Sequence, residues 1–402
     1  MYRQNRLFYC YASLVFLLMC VSNRTLYTNN IPDILLVLLN MLPPLFFFGI
    51  YKSRVSNNLL GMLICVVIVY LLIFLKNPTV SLFRAVGTIG SFFNIASVLA
   101  LAKEDKKNLL DFITNLLVII SIVSLFGWIL HLVGFDIPVF QHVDFGDDVH
   151  DLENHYVYYD SYKSTIFFPR FRGIFIEPGQ LATPLVFLFF ARGAKIRDWK
   201  NLVLLLSVIL SFSLSGYITL ILGMFLNGFV GEARHKLLRV FVFSVIVGGI
   251  AFLNIKAQNE NNALYSLIIA RMEYDEDLVI AGNNRSDAIF DDHFAQYVKS
   301  DDIIFGMGDK VGTGALNWTN HSSGIKKFFL NYGIVGVLFM VLLTLGLLKT
   351  NFCPRTVVFT IVIWSAFIVR DLLASQFWLI IAILGYCNLK DISMRETKER
   401  MI

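Results

Sequence analysis

Apolar runs alternate with short polar connections along the whole chain, and many approach the roughly 17–25 residues that a helix needs to cross a bilayer. About twelve such runs fall near 7–22, 31–50, 59–75, 79–102, 109–134, 179–191, 201–213, 216–230, 240–255, 328–348, 356–370 and 372–388. The pattern predicts an all-α, polytopic integral membrane protein in which 1–402 form a single membrane domain. Segment 201–230 reads as two short helices in a hairpin or as one helix with a break at Ser215-Gly216, and its flanks favour the hairpin. Arg192, Lys195, Arg197 and Lys200 precede it and Arg234, Lys236 and Arg239 follow it, so both flanks stay on one side of the membrane. The first run is followed by more spans and by no small-residue cleavage site, so it reads as a retained helix rather than a signal peptide.

Composition sharpens this picture. The 402 residues are 56% hydrophobic and 16% charged, far from the quarter or so of charged residues in a soluble globular chain. The apolar excess has to face lipid. A formal net charge of +5 says little about nucleic acid, and none is expected as a partner, but the placement of the charges is informative. With the N-terminus in the cytoplasm, the inner segments hold 20 basic against 8 acidic residues and the outer ones 14 against 21. That is +12 inside and −7 outside, which sums to the net +5 and agrees with the positive-inside rule. The reversed orientation would put the compact basic loops on the wrong side.

Two external segments, 135–178 and 256–325, stand out among connections that are otherwise short, and long loops on a compact scaffold are where function gathers. A basic cytoplasmic tail follows at 390–402. None of the five cysteines (Cys10, Cys20, Cys65, Cys353, Cys387) lies in a long loop, so no disulfide framework is expected and they read as small apolar packers. Neither an internal repeat nor a heptad array is present.

Basic residues outside run against the charge bias, and six of them fall at one expected depth, the external membrane–water boundary: Arg84, Arg170, Arg172, Lys326, Lys327 and Arg370. Such a collar suits an anionic head group held by a lipid tail, for which an undecaprenyl-type diphosphate qualifies. The alternatives are ordinary ones. Arg370 has Asp371 beside it for pairing, and Lys326 and Lys327 can anchor at the interface. Arg84 lies inside a span, where a guanidinium is costly without a partner.

The segment Arg170-Phe-Arg172-Gly173-Ile-Phe-Ile-Glu177-Pro178 places two cations, a flexible glycine, an apolar stretch and a carboxylate just before a helix. Glu177 is either an acid capping that helix or a general base beside phosphate-binding arginines. His321, in Asn320-His321-Ser322-Ser323 at the mouth of the next span, is a second candidate for proton transfer. The loop residues His142, Asp144, Asp147, Asp148, His150, Asp151, Glu153 and His155 are of metal-ligating types, yet their spacing matches no ligand motif, and no metal is expected. Tyr156, Tyr158, Tyr159 and Tyr162 suit either sugar stacking or an interfacial aromatic belt. No phosphate loop, dinucleotide fingerprint, serine triad or zinc motif is present.

With these residues in view, the chain resembles the O-antigen polymerase and ligase superfamily, the Wzy-type bacterial polysaccharide polymerases, over roughly residues 80–345. Four local features carry the likeness: Arg170 to Pro178 with Leu181-Ala182, the serine-rich hairpin Ser211 to Tyr217, Gly282-Asn-Asn-Arg285 with Ile303-Ile-Phe-Gly306-Met-Gly308, and Asn320-His321-Ser322 with Asn331-Tyr-Gly333-Ile-Val-Gly336. The resemblance implies a metal-independent, membrane-embedded glycosyltransferase of GT-C-like architecture in the bacterial cytoplasmic (inner) membrane, with both termini cytoplasmic and no cofactor. It implies that Arg172 and Arg285 bind the diphosphate of an undecaprenyl-diphosphate-linked oligosaccharide, and that Glu177 or His321 takes the proton of the attacking sugar hydroxyl. Other implied partners are membrane lipids and a chain-length regulator protein. Where many members carry an arginine in the serine-rich hairpin, Leu214 stands here, and Arg170 or Arg84 is the expected substitute. The competing readings are an O-antigen ligase with a lipid A–core acceptor and a polysaccharide flippase or other transporter. The transporter would call for charged residues near mid-membrane, whereas the candidates here gather at the outer boundary.

Overall fold

The computed structural model describes residues 2–22, 33–51, 68, 82–135, 137–143, 152–161, 170–230, 288–307, 324–369 and 376–399. The chain is mostly helical. In order, the helices are α1 (Tyr2–Ser22), α2 (Asp33–Phe46), α3 (Leu82–Ala100), α4 (Lys103–Leu132), α5 (Pro178–Ala191), α6 (Trp199–Leu210), α7 (Leu214–Gly228), α8 (Ala288–Val298), α9 (Gly324–Thr350), α10 (Pro354–Val369) and α11 (Gln376–Glu399). Lys103–Leu132, Gly324–Thr350 and Gln376–Arg395 are long and apolar enough to cross a membrane, and six shorter apolar helices accompany them. Large side chains on their outer faces, among them Phe126, Leu338 and Phe225, are exposed and apolar, as lipid contact requires. This is the architecture of an integral membrane protein. The expected spans 59–75, apart from residue 68, and 240–255 lie outside the described residues.

The chain divides into two compact units, one made of Met1–Asn115 with Arg285–Ile402 and the other of Leu116–Asn284. In the first, Gln376 at the start of α11 is buried and ties together helices far apart in sequence. Its side-chain amide donates to Ser91 Oγ and, at 3.4 Å, to Asn40 Oδ1, and its carbonyl oxygen accepts from Asn94 Nδ2 at 3.1 Å. Interhelical hydrogen bonds of this kind hold helices together where lipid supplies no hydrophobic drive. At the opposite end of α11, Asp391 pairs with Lys103 of α4 and Lys390 Nζ donates to the Thr350 carbonyl of α9 at 2.7 Å. Helix α11 continues to Glu399, so most of the expected tail is helical.

The second long loop also has structure. Helix α8 and a single 3-10 turn (Asp301–Ile303) lead to Gly306, which docks on α9. Met307 N donates to Leu330 O at 2.7 Å and Val335 N to Ile304 O at 3.1 Å. Helix α9 breaks at Gly333, whose φ of 63° and ψ of −166° leave the helical region and make room for this contact. A small core of Phe290, Tyr297 and Leu330, with Phe294, Met307 and Phe329 against it, fixes α8 to α9.

In the second unit, the C-terminal part of α4 carries a three-stranded antiparallel sheet, a departure from the all-α expectation. Strands β1 (Gln141–Val143), β2 (Leu152–Asn154) and β3 (Tyr159–Ser161) pair in the order β1-β2-β3, with Gln141 opposite Asn154 and Asn154 opposite Tyr159. Helix α5 is buried along almost its whole length. Helices α6 and α7 form the expected hairpin, but the turn is Ser211-Phe212-Ser213. Ser213 caps α7 by accepting from Gly216 N, so Gly216 sits inside the helix, and Phe212 takes a left-handed φ of 47°. Asp198 caps α6 and also pairs with Arg192, which closes the connection from α5.

Candidate functional site

The segment 170–177 is an arch held at three points within the second unit. Phe171 N donates to Leu210 O at 3.1 Å, Phe175 N to Arg172 O at 3.1 Å, and Tyr159 N of β3 to Gly173 O at 2.9 Å. Its apolar residues Phe171, Ile174, Phe175 and Ile176 are buried, and Phe171 meets Trp128 of α4 edge to face with ring centroids 5.6 Å apart. That anchoring leaves Arg170, Arg172 and Glu177 as the partly exposed positions of the arch.

Glu177 stands immediately before α5, at its N-cap position, with extended backbone and Pro178 as the first helical residue. Its backbone carbonyl accepts from Gln180 N and Leu181 N, but its side chain makes no capping hydrogen bond. Its carboxylate instead lies within electrostatic reach of Arg172. Burial pulls the Arg172 guanidinium below its ordinary pKa, and the negative charges of Asp160 and Glu177 oppose that pull. Arg172 Nη1 also donates to Ile176 O at 3.1 Å, which fixes the side chain along the arch.

Asp160 is the residue that sequence reasoning missed. It sits on β3 at 6% exposure, and its Oδ2 lies 3.3 Å from Nε2 of His131 in the last turn of α4. His131, Asp160, Arg172 and Glu177 therefore form a chain of titratable groups linking α4, the sheet, the arch and α5. Nothing local in the sequence marks Asp160, because only the pairing of β3 with the arch brings it to Arg172. The hydroxyls of Tyr158 and Tyr159 and Oε1 of Gln180 are buried without a hydrogen-bonding partner among the described residues. Burial raises the Tyr159 phenol to about 12.

Arg170 has a different set of contacts. Its Nε donates to Ser211 O at 3.3 Å and its Nη2 to Phe212 O at 2.9 Å, so the guanidinium occupies the corner of the α6–α7 hairpin. This is the hairpin in which Leu214 replaces an expected arginine. Arg84 lies on the first turn of α3, in the other unit. Lys326 there places its ammonium 5.6 Å from the Phe294 ring centroid, a cation–π contact onto α8. Arg285, His321 and Arg370 lie outside the described residues.

Of the acidic–histidine cluster, His142, Glu153 and His155 are described. Glu153 lies 3.6 Å from His142 Nδ1 and 3.6 Å from His155 Nε2, while His155 Nδ1 donates to Ile137 O at 3.0 Å. Among the described residues no group of three His, Cys, Asp or Glu is placed to hold a metal ion. No protein-family model matches the chain, and no curated protein matches it.

Proposed function

We propose that the chain is a polysaccharide polymerase, a membrane glycosyltransferase that moves a growing glycan from a polyprenyl diphosphate carrier onto another lipid-linked repeat unit at the external face. The observation that carries this reading is the Arg172–Glu177 pair at the start of α5, with the buried hydroxyls of Tyr158 and Tyr159, which have no hydrogen-bonding partner among the described residues, at the start of the strand that supports it. In the reaction the bond between the donor's anomeric carbon and its phosphate oxygen breaks. A bond from that carbon to an acceptor hydroxyl oxygen forms, and the lipid diphosphate leaves. Arg172, with Arg285, offsets the charge developing on the departing diphosphate. Glu177 or His321 takes the acceptor hydroxyl's proton. Arg170 contributes positive charge at the hairpin corner.

The topology that goes with this reading has about twelve spans and both termini in the cytoplasm. Supporting it, the Lys103–Asp391 pair and the Lys390–Thr350 bond join helix ends that the charge distribution assigns to the same side. The test is glycan analysis after gene deletion and complementation. Deletion should leave single lipid-linked repeats capping the surface without a ladder, and Arg172→Ala should fail to restore the ladder at normal protein level. Loss of all surface attachment points instead to a ligase. A full ladder from Arg172→Ala sinks the diphosphate role.

A further inference from the structure

Helix α4 has two contrasting edges. Along one, Ile119, Ile122, Phe126, Ile129 and Val133 recur at helical spacing, and all are exposed. An unbroken exposed apolar edge on a membrane helix faces hydrocarbon, and roughly 30 Å of it, counted at about 1.5 Å per residue from Leu109 where the charged first turn ends, reaches to about Ile129. The opposite edge receives the tip of the β2–β3 hairpin. Ser124 Oγ donates to Val157 O at 2.6 Å, and a methyl on Gly127 would lie 3.0 Å from Val157 Cγ2. At a rise of 1.5 Å per residue, Gly127 and Ser124 lie about 8 and 12 Å back from the Leu132 end of the helix. Phe126, 64% exposed, sits between those two levels. The hairpin tip is thus at a depth where the far side of the same helix meets lipid.

The tip has the bonding that such a depth demands. Non-helical backbone within a membrane must find its hydrogen bonds inside the protein. Val157 N donates to His155 O at 2.8 Å across Tyr156, whose φ of 67° gives a γ-turn of the positive-φ kind. Tyr156 N donates to Asn154 Oδ1 at 2.9 Å, and His155 N to Tyr158 O at 3.0 Å. Tyr156 and Phe140 then point outward as an exposed aromatic pair with ring centroids 4.8 Å apart. Val139, next to Phe140 in the chain, is exposed and apolar as well, which suits acyl chains rather than a sugar.

Helix lengths in the same unit give a separate argument. Helices α5, α6 and α7 have 14, 12 and 15 residues. They rise only about 21, 18 and 22 Å, short of the roughly 30 Å hydrocarbon core. The arch and the sheet attach at their outer ends, through the Phe171–Leu210 and Tyr159–Gly173 bonds. Non-helical protein therefore fills the remaining depth on this side.

We propose that the Leu152–Ser161 hairpin is re-entrant, dipping into the outer leaflet beside α4 with the Tyr156–Phe140 pair packed against lipid acyl chains. The proposal rests on the chain being a membrane protein and is independent of glycosyl transfer, so the two can fail separately. The test uses the full-length chain in phosphatidylethanolamine–phosphatidylglycerol vesicles, with p-benzoylphenylalanine incorporated at Tyr156. Incorporation at Phe126 gives the lipid reference and at exposed Lys195 the aqueous one. After irradiation, mass spectrometry reads lipid adducts. Adduct yield at Tyr156 matching that at Phe126 is the expected result. Yield at the Lys195 background, or crosslinking to another part of the protein, overturns the proposal. Incorporation at Phe140 gives the same reading if the Tyr156 variant fails to accumulate.

Discussion

Gly306 and Gly333 meet backbone to backbone. A methyl group on Gly333 would lie 2.4 Å from the Ile304 carbonyl oxygen, and one on Gly306 would lie 2.4 Å from that of Asn331. Both residues have positive φ, 78° and 63°, so a side chain is opposed by conformation as well as by space. Gly306→Ala and Gly333→Ala should each destabilise the protein by roughly 2–4 kcal/mol. Thermal unfolding in detergent measures this, and an unchanged midpoint in both variants would contradict the contact.

Arg170 should act on stability through the α6–α7 corner. Its two hydrogen bonds hold the carbonyls of Ser211 and of Phe212, the latter in a left-handed conformation. Removing a charged donor from partly buried carbonyls costs about 2–3 kcal/mol. Arg170→Ala should show that loss, and Arg170→Lys should recover only part of it, because an ammonium lacks the planar fork that reaches both carbonyls. Denaturant titration separates the three proteins; equal stability of Arg170→Ala and the parent counts against the clasp.

For Glu177 the expected split is between activity and stability. Because its side chain makes no capping bond, Glu177→Gln sacrifices no helix cap and should melt close to the parent. Chain extension should fall by roughly two orders of magnitude or more if Glu177 takes the acceptor proton. The measurement is polymer formation from lipid-linked repeats by the purified variant. A normal rate would transfer that role to His321.

Tyr297 gives a pH signature. Its hydroxyl donates to Phe329 O at 2.8 Å and so ties α8 to α9. Burial raises the phenol from 10 to about 12, and the Asp302 charge adds to the rise. A proton held more tightly when folded contributes stability fully below about pH 10, and that stability is lost as pH rises through about 12. Melts of the parent between pH 9 and 12 should show an alkaline loss that Tyr297→Phe lacks, while the variant starts about 1 kcal/mol less stable. Parallel pH dependence of the two proteins would remove Tyr297 from the account.

The membrane helices were legible because long apolar runs have few other folds available; α9 and α10 begin and end within a few residues of the expected positions. The α6–α7 hairpin, rather than one helix broken at Ser215-Gly216, followed from its basic flanks, while the exact turn depends on Ser213 supplying a cap to Gly216 N. Strands of three residues are too short for an alternating pattern, so the sheet was invisible. With it went Asp160 and His131, which become neighbours only through that sheet. Arg170 was read as a ligand for phosphate from its charge, whereas its contacts to Ser211 and Phe212 depend on where the hairpin turns.

The Gln376 amide joins α11 to Asn40, Ser91 and Asn94, across 282 residues in the case of Asn94. At a synthesis rate of about 5–20 residues per second, Asn94 emerges roughly 15 to 55 s before its partner exists. During that interval α2 and α3 stay in the bilayer with those amides unmatched, open to wrong helix neighbours or to quality-control proteases. The early helices are held provisionally, and translation of residue 376 is the event that commits them.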